Sequence, residues 1–580
     1  MALGCQGSLT DTLARHHNRC DCRPCLGSVM SRQSIFVVGL ATVMATVMAT
    51  ALLGAPSAAR ADWLRAESER FIVYSDGGER DLRDYVQKLE IFDRVMQFRT
   101  GLSADMASPR KLPIYLVASR RDLARVHPRS GQNVLGTYFP TEEDIFAVAV
   151  RRGSDGLSGN DVLMHEYAHH FMLANVPAAY PAWLVEGFAE YYMTADINVR
   201  EREVLLGGYN ENRAYWIMAE NWIPLSILLT KRSGEVRPTH QTTYYSIAWL
   251  LTHWFFSDPE RAAQLQAYLD GVAGGEDSVA AMERATGLTI RQLENALRRY
   301  TRVRLTATKI TGRFPMAETQ ITRLSPAADD LLLINQRLKV GAPDEDRAAL
   351  GQEVARLAAR HGDDPLALMA AGHAGLHFGD RPAGVRALER LLALEPDHVE
   401  ALQYLAQEQL RQAREADDET EAQAARGKAR ALLARAYAAG QNDYRTLMLL
   451  AELRQGQPGY PNDNDLLTMG LALDRAPQLA AVRFRYASAL AQTGDKEQAI
   501  SVLRPLANNP HGGSASSFAS RFIESLETGG EPPELTEEAD EPQISEPEPE
   551  PQPAPQADEG GSSEQGSTTA RDYRSTAASK

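Results

Sequence analysis

The sequence predicts an α+β domain over residues 62–310, an all-α helical array over residues 325–525 and a disordered, acidic Pro/Glu-rich tail over residues 529–580. Three observations carry that division. Between Asp62 and about residue 310, strand-like runs of β-branched and aromatic residues come first and helical runs follow, the order of a segregated α+β fold. From about 325 to 525 the chain is rich in Ala, Leu, Arg and Glu with short Gly, Asp and Pro breaks, a composition of stacked helices. Past Gly529 almost no apolar residue remains to offset the entropy of ordering the chain.

At 580 residues the length alone asks for more than one domain, and 44% hydrophobic with 24% charged residues are ordinary globular values. The formal charge of -15 is concentrated: residues 529–580 hold thirteen Asp/Glu against three Lys/Arg, which is -10 from the tail. The folded part is therefore only mildly acidic, and no stretch is basic enough to track a phosphate backbone, so no nucleic-acid partner is expected.

Near the start, "MSRQSIFVVGLATVMATVMATALLGAPSAARAD" has a basic beginning at Arg32, an apolar run from Ile35 to Leu53, and Ala59 and Ala61 in an A-x-A arrangement. Residues 30–61 read as an export signal, cleaved after Ala61 or kept as a membrane anchor, since the apolar run exceeds the usual ~7–15 residues. Either outcome takes the remaining chain to the periplasm or cell envelope, with a membrane association only if the segment stays uncleaved. Residues 1–29 precede Met30 and are expected to be an over-extended start. All four cysteines (Cys5, Cys20, Cys22, Cys25) fall there, so the chain from Asp62 has neither disulfides nor thiolate metal sites.

Taken in order, "FIVYSD" is a strand, "RDLRDYVQKLEIFDRVMQFRTG" a helix stopped at Gly101, "KLPIYLVAS" a second strand and Ile145 to Val150 a third. "NDVLMHEYAHHFMLAN", from Asn160 to Asn175, is then an amphipathic helix. "PAWLVEGFAEYY" follows with Pro181 at its opening, and "YYSIAWLLTHWFF" and "IRQLENALRRYTRVRL" complete the helical half.

The chemistry lies in His165, Glu166 and His169, an H-E-x-x-H pattern. Positions i and i+4 share a helix face, so two imidazoles can bind one metal while the Glu points beside it toward a water. Two antiparallel helices joined by "NVPAAYP" would return Glu186 to the same place, and His, His, Glu is a catalytic zinc set. Glu190 lies one turn beyond Glu186 on the same face. His170 is off that face and is read as structural.

"HEYAHH" followed by "WLVEGFAEYY" resembles the gluzincin metallopeptidases, the thermolysin-like clan, and within it the peptidase MA-like domains of bacterial proteins that often carry helical repeats. The resemblance covers residues 62–310. It implies a zinc ion held by His165, His169 and Glu186, Glu166 as the general base, and Glu190 as an acceptor that orients a zinc-binding His. In "THQTTYYSIAWLLTHWFF" it implies Tyr245 as a hydroxyl that hydrogen-bonds the developing oxyanion, although the Lys-Gly usual after that tyrosine is replaced by Ser246 to Ala248. It further implies that "IFAVAV" is an edge strand pairing with an extended substrate. Metzincins are excluded, because Met172 and Asn175 stand where that motif needs Gly and a third His. G-x-M-E-N is absent from "NVLGTYFPTEED", so aminopeptidase activity is not implied.

The helical array resembles tetratricopeptide repeats: Ala367 and Leu368 recur thirty-four residues on as Ala401 and Leu402, and the "GD" pairs at Gly379 and Gly494 precede Pro396 and Pro510. The stretch "READDETEAQAARGK" breaks the register, and an irregular helical bundle is the other reading. The expected function is an exported zinc metallopeptidase acting on a peptide or protein substrate, with a protein partner possible on the repeats. The alternative is a repeat-based envelope scaffold whose peptidase-like domain is inactive. Since the candidate ligands lie between residues 165 and 186, a fragment of residues 62–315 is expected to bind zinc by itself.

Overall fold

The computed structural model describes residues 62–530 except 104–109, 131–133, 152–158, 177, 209–210, 219–220, 304, 306, 313 and 510–512, and also residue 533. The segments expected to be an over-extended start and an export signal, the four cysteines and nearly all of the acidic tail lie outside the described residues. Among those described, no helix is long and apolar enough to cross a membrane.

The N-terminal part is a β-sheet with helices packed on it. In chain order it contains β1 (Leu64–Glu67), β2 (Phe71–Ser75), α1 (Glu79–Thr100), β3 (Leu112–Val117), α2 (Arg120–Val126), β4 (Gly136–Pro140), β5 (Ile145–Val150), α3 (Gly159–Asn175), α4 (Ala182–Met193), β6 (Asp196–Asn198), β7 (Glu203–Leu206), α5 (Glu211–Met218), α6 (Leu225–Thr230), α7 (Pro238–Phe256), α8 (Pro259–Ala273), α9 (Ser278–Thr286), α10 (Ile290–Tyr300), β8 (Thr308–Thr311) and β9 (Gln320–Arg323). The main sheet has the order β4-β5-β3-β2-β1-β9, and β6-β7-β8 form a smaller one. Strands β2, β3 and β5 run parallel, while β1, β4 and β9 pair antiparallel with their neighbours. Helix α1 makes the crossover between β2 and β3, and ends at Gly101, whose φ of 72° is the left-handed cap that glycine adopts without strain.

Both faces of the sheet are buried, so its central strands read as continuous apolar runs. Ile114, Leu116, Ile145, Ala147 and Ala149 face a core shared with α1, α3 and α4. The alternate residues Tyr115, Val117, Phe146, Val148 and Val150 face a second core, shared with Ala328, Leu332 and Leu333. This is the two-residue side-chain period of a strand, with each face given a different cover.

Those covering residues belong to the helical array. It comprises α11 (Ala327–Val340), α12 (Asp344–Ala358), α13 (Pro365–Phe378), α14 (Arg381–Leu394), α15 (Val399–Glu415), α16 (Glu419–Ala439), α17 (Tyr444–Arg454), α18 (Asp463–Arg475), α19 (Ala480–Gln492), α20 (Lys496–Ala507) and α21 (Gly513–Thr528). The "GD" pairs mark helix starts: the Asp380 carboxylate accepts from the Ala383 amide to cap α14, and Asp495 accepts from Gln498 to cap α20. Helices α13 and α15 begin at Pro365 and Val399, the thirty-four-residue step seen in the sequence. The 21-residue α16, which "READDETEAQAARGK" enters, lengthens the next one.

Two expectations need correcting. The expected domain limit at 310 falls within β8 and leaves out β9, which pairs with β1 from Leu64↔Arg323 to Glu67↔Gln320. In addition Tyr444, Leu447, Met448, Leu479 and Val482 of the array region belong to the same apolar cluster as Phe171 of α3 and Trp183 of α4. The two parts share a core because the sheet has two apolar faces and the segment before residue 315 supplies helices for only one of them in full. The described residues from Asp62 onward accordingly form one compact unit.

Helices α4 and α7 touch at Gly187. A Cβ there would lie 2.2 Å from Thr252 Oγ1 and 2.6 Å from the Ala248 carbonyl oxygen. Alanine gains about 1 kcal/mol of helix propensity over glycine, but the carbonyl cannot rotate away, so the helices must separate. Gly187→Ala is therefore expected to destabilise by about 1–3 kcal/mol. A thermal melt at or above the wild-type Tm would show that the contact can relax.

Candidate metal centre

Helix α3 carries the H-E-x-x-H residues into the core, with His165 at 3%, Glu166 at 8% and His169 at 5% exposure. Two hydrogen bonds set its rotation. The Tyr167 hydroxyl donates to Asp93 Oδ1 of α1 at 2.8 Å, and His170 Nδ1 lies 2.8 Å from the Tyr138 hydroxyl of β4. Arg70 Nε and Gln97 Nε2 approach Asp93 Oδ2 at 2.8 and 2.9 Å, while burial pushes the Asp93 carboxyl up to about 6 against the pull of Arg70. Burial also holds the His170 imidazole down at about 4. His170, off the ligand face, thus fastens α3 to the sheet.

Helix α4 starts after Pro181, and every residue from Trp183 to Met193 is buried. Its hydrophobicity on all sides fits a helix clasped between α3 and α7. At this depth Glu186 is fully buried and Glu190 is 1% exposed.

Three donor atoms converge. His165 Nε2 and His169 Nε2 are 3.0 Å apart, and Glu186 Oε2 is 3.6 Å from each. The rings meet edge to face, with centroids 4.6 Å apart at 86°. A point equidistant from the corners of that triangle lies about 2.0 Å from each, which is the length of zinc–imidazole and zinc–carboxylate bonds. With no ion there the two rings are at hydrogen-bond distance of each other, and a metal ion at that point would be reached by all three donors. The donor set, its neutrality of geometry between the three corners and its burial fit zinc.

Glu190 lies on the other side of His165, with Oε1 3.7 Å from Nδ1. Its two oxygens take the fork of Arg213, at 2.8 Å from Nε and 2.6 Å from Nη2. Arg213 of α5 is 3% exposed, and its guanidinium stands 5.1 Å from the centre of the Tyr245 ring. Of the adjacent tyrosines on α7, Tyr244 donates its hydroxyl to the Lys231 carbonyl at 2.9 Å. Burial, with the Glu186 carboxylate adding to it, holds the Tyr244 hydroxyl well above its usual range. Tyr245 is the one that stacks on the Arg213–Glu190 pair beside the ligands.

The structure brings His165, His169 and Glu186 together with Glu190 beside His165, and adds Arg213, which the sequence does not single out. Nothing in "ENRAYW" distinguishes that arginine from a surface one. Its removal is expected to be costly: Arg213→Met would leave the Glu190 carboxylate buried without its fork, a loss of about 3–5 kcal/mol. The added Glu190→Gln change should recover part of it. Additive losses in that double-mutant cycle would show that the pair does not couple.

The expected edge strand is displaced by one position. Strand β5, "IFAVAV", lies between β4 and β3, and the edge beside α3 is β4. The cause is the tight return through residues 141–144, where the Thr141 amide and hydroxyl both donate to the Asp144 carbonyl at 2.9 Å and fold β4 over β5.

Comparison with protein-family models, curated proteins and solved structures finds no match to this chain, and the centre is read from its own donors.

Proposed function

We propose that the chain is an exported zinc metallopeptidase of the gluzincin type, with a thermolysin-like catalytic part and a tetratricopeptide-like array. The observation that carries this reading is the donor triangle of His165, His169 and Glu186, sized for zinc, with the buried Glu166 next to His165 in the same helix. Bound there, zinc supplies Lewis-acid polarisation of a carbonyl and makes a water acidic near neutral pH. The Glu166 carboxylate takes the proton of the attacking water and passes it to the leaving nitrogen, the acid/base work its position beside the ligands allows. Tyr245 donates its hydroxyl to the oxyanion, and Arg213, stacked on its ring, steadies it. The substrate is a peptide or protein segment, held in extended form along β4. Export rests on the composition of residues 30–61.

One observation favours the scaffold reading instead. At 3.7 Å, Glu190 is beyond hydrogen-bond reach of His165 Nδ1, so the orienting contact of an active gluzincin is not made directly. Peptide turnover separates the two readings. A zinc-loaded chain that cuts peptides from a library, loses the activity to chelators and loses it in Glu166→Gln supports the peptidase. A zinc-loaded chain that cuts nothing overturns it.

A further inference from the structure

The β4–β5 turn, "TEED", is gripped by four separate helices of the array. The Tyr444 hydroxyl donates to the Thr141 carbonyl at 3.2 Å, Arg485 to Glu142 at 3.1 Å, and Lys339 Nζ pairs with Asp144 at 3.1 Å. Glu143 enters a different environment. It meets His373 and His377 of α13, and one ligand atom from each of the three residues lies within 4.8 Å of the others. The two histidines repeat the i, i+4 arrangement of the first centre, with ring centroids 5.1 Å apart at 86°.

The hydrogen bonds around His373 need a cation. The Tyr404 hydroxyl donates its only proton to Glu143 Oε2 at 2.6 Å, so its contact with His373 Nδ1 at 3.2 Å requires the ring to supply the proton. In a neutral ring that tautomer leaves a lone pair on Nε2, which in this fully buried ring faces Glu143 Oε2 at 3.0 Å. Two acceptors so close repel unless a positive charge stands between them. A proton would satisfy this pair alone. His377, one helical turn on from His373, supplies a third donor within reach of both. Of the neighbouring cations, Arg445 stacks over the Tyr404 ring at 4.1 Å, donates to Gln407 and helps to hold the Glu143 carboxyl down, and Arg381 pairs with Glu408 at 3.1 Å.

We propose that Glu143, His373 and His377 form a second metal site, which takes a late first-row divalent cation of the zinc class and clamps the β4–β5 hairpin to the helical array. Two imidazoles and one carboxylate select that class over calcium or magnesium, which prefer all-oxygen shells. The Tyr404 contact to Nδ1 is the outer-shell partner that fixes a ligating tautomer. Its role is structural and bears on the first centre through β4. Gly136 of that strand is so near α3 that a Cβ would meet Val162 at 2.9 Å. The proposal does not depend on the peptidase reading.

The test is zinc per full-length chain, by elemental analysis, in wild type, in His373→Ala with His377→Ala, in His165→Ala with His169→Ala, and in all four together. Each pair of changes should remove one zinc, and their combination two. Unchanged zinc in the His373/His377 variant would overturn the site and leave an imidazolium–carboxylate ion pair. Because removal of a fully buried histidine can unfold the array, a second measurement keeps both histidines. In the His165→Ala, His169→Ala protein, one equivalent of zinc should raise Tm by several degrees, with saturation at one per chain. No shift in that protein would also overturn the site.

Discussion

Glu186→Ala is expected to lose the zinc of the first centre, whereas Glu166→Gln keeps it and loses peptide hydrolysis. The two residues differ in what their carboxylates touch. Glu186 Oε2 stands 3.6 Å from both imidazole nitrogens and completes the triangle, so its removal leaves two donors about a point that needs three. Glu166 is no corner of that triangle, and glutamine is nearly isosteric with it but cannot accept a proton. General-base catalysis contributes about 100- to 10,000-fold, and the Glu166→Gln rate should fall within that range. Activity within a few-fold of wild type is incompatible with the assigned role. Equal zinc in wild type and Glu186→Ala would move the ligand role to another carboxylate, with Glu190 the nearest on the same face.

The second large effect is on folding. A fragment of residues 62–315 is expected to be insoluble or to melt without cooperativity, despite containing every candidate ligand of the first centre. It lacks β9, which leaves the hydrogen-bonding edge of β1 open to other chains. It lacks Ala328, Leu332 and Leu333, exposing the sheet face of Tyr115, Phe146 and Val148. It also lacks Tyr444, Leu447, Met448, Leu479 and Val482, which pack against the core around α3 and α4. Each large apolar side chain returned to water costs about 1.5–3 kcal/mol, so a few of them exceed the roughly 5–15 kcal/mol by which a domain is stable. Solubility on expression and a circular-dichroism melt decide it. A soluble fragment with a cooperative melt and one bound zinc would show that the shared core is dispensable.

The sequence by itself determined what depends on local periodicity. The 3.6-residue turn puts His165 and His169 on one face, Pro181 starts the helix that returns Glu186, and aspartates after glycine cap the array's helices. These are short-range rules, since the backbone groups they satisfy lie within four residues of the side chain that satisfies them. The spacing of His373 and His377 obeyed the same rule, but what stands beside them did not, because Glu143 comes from the β4–β5 turn of the distant sheet. Only the tertiary structure decided that Arg213 forks onto Glu190, that β4 rather than β5 is the edge, that β9 closes the sheet past residue 310, and that the array covers its second face. Each of these joins residues far apart in the chain, and no local pattern records such a pairing. An arginine or an isoleucine reads the same in sequence whichever surface the packing of distant elements later presents to it.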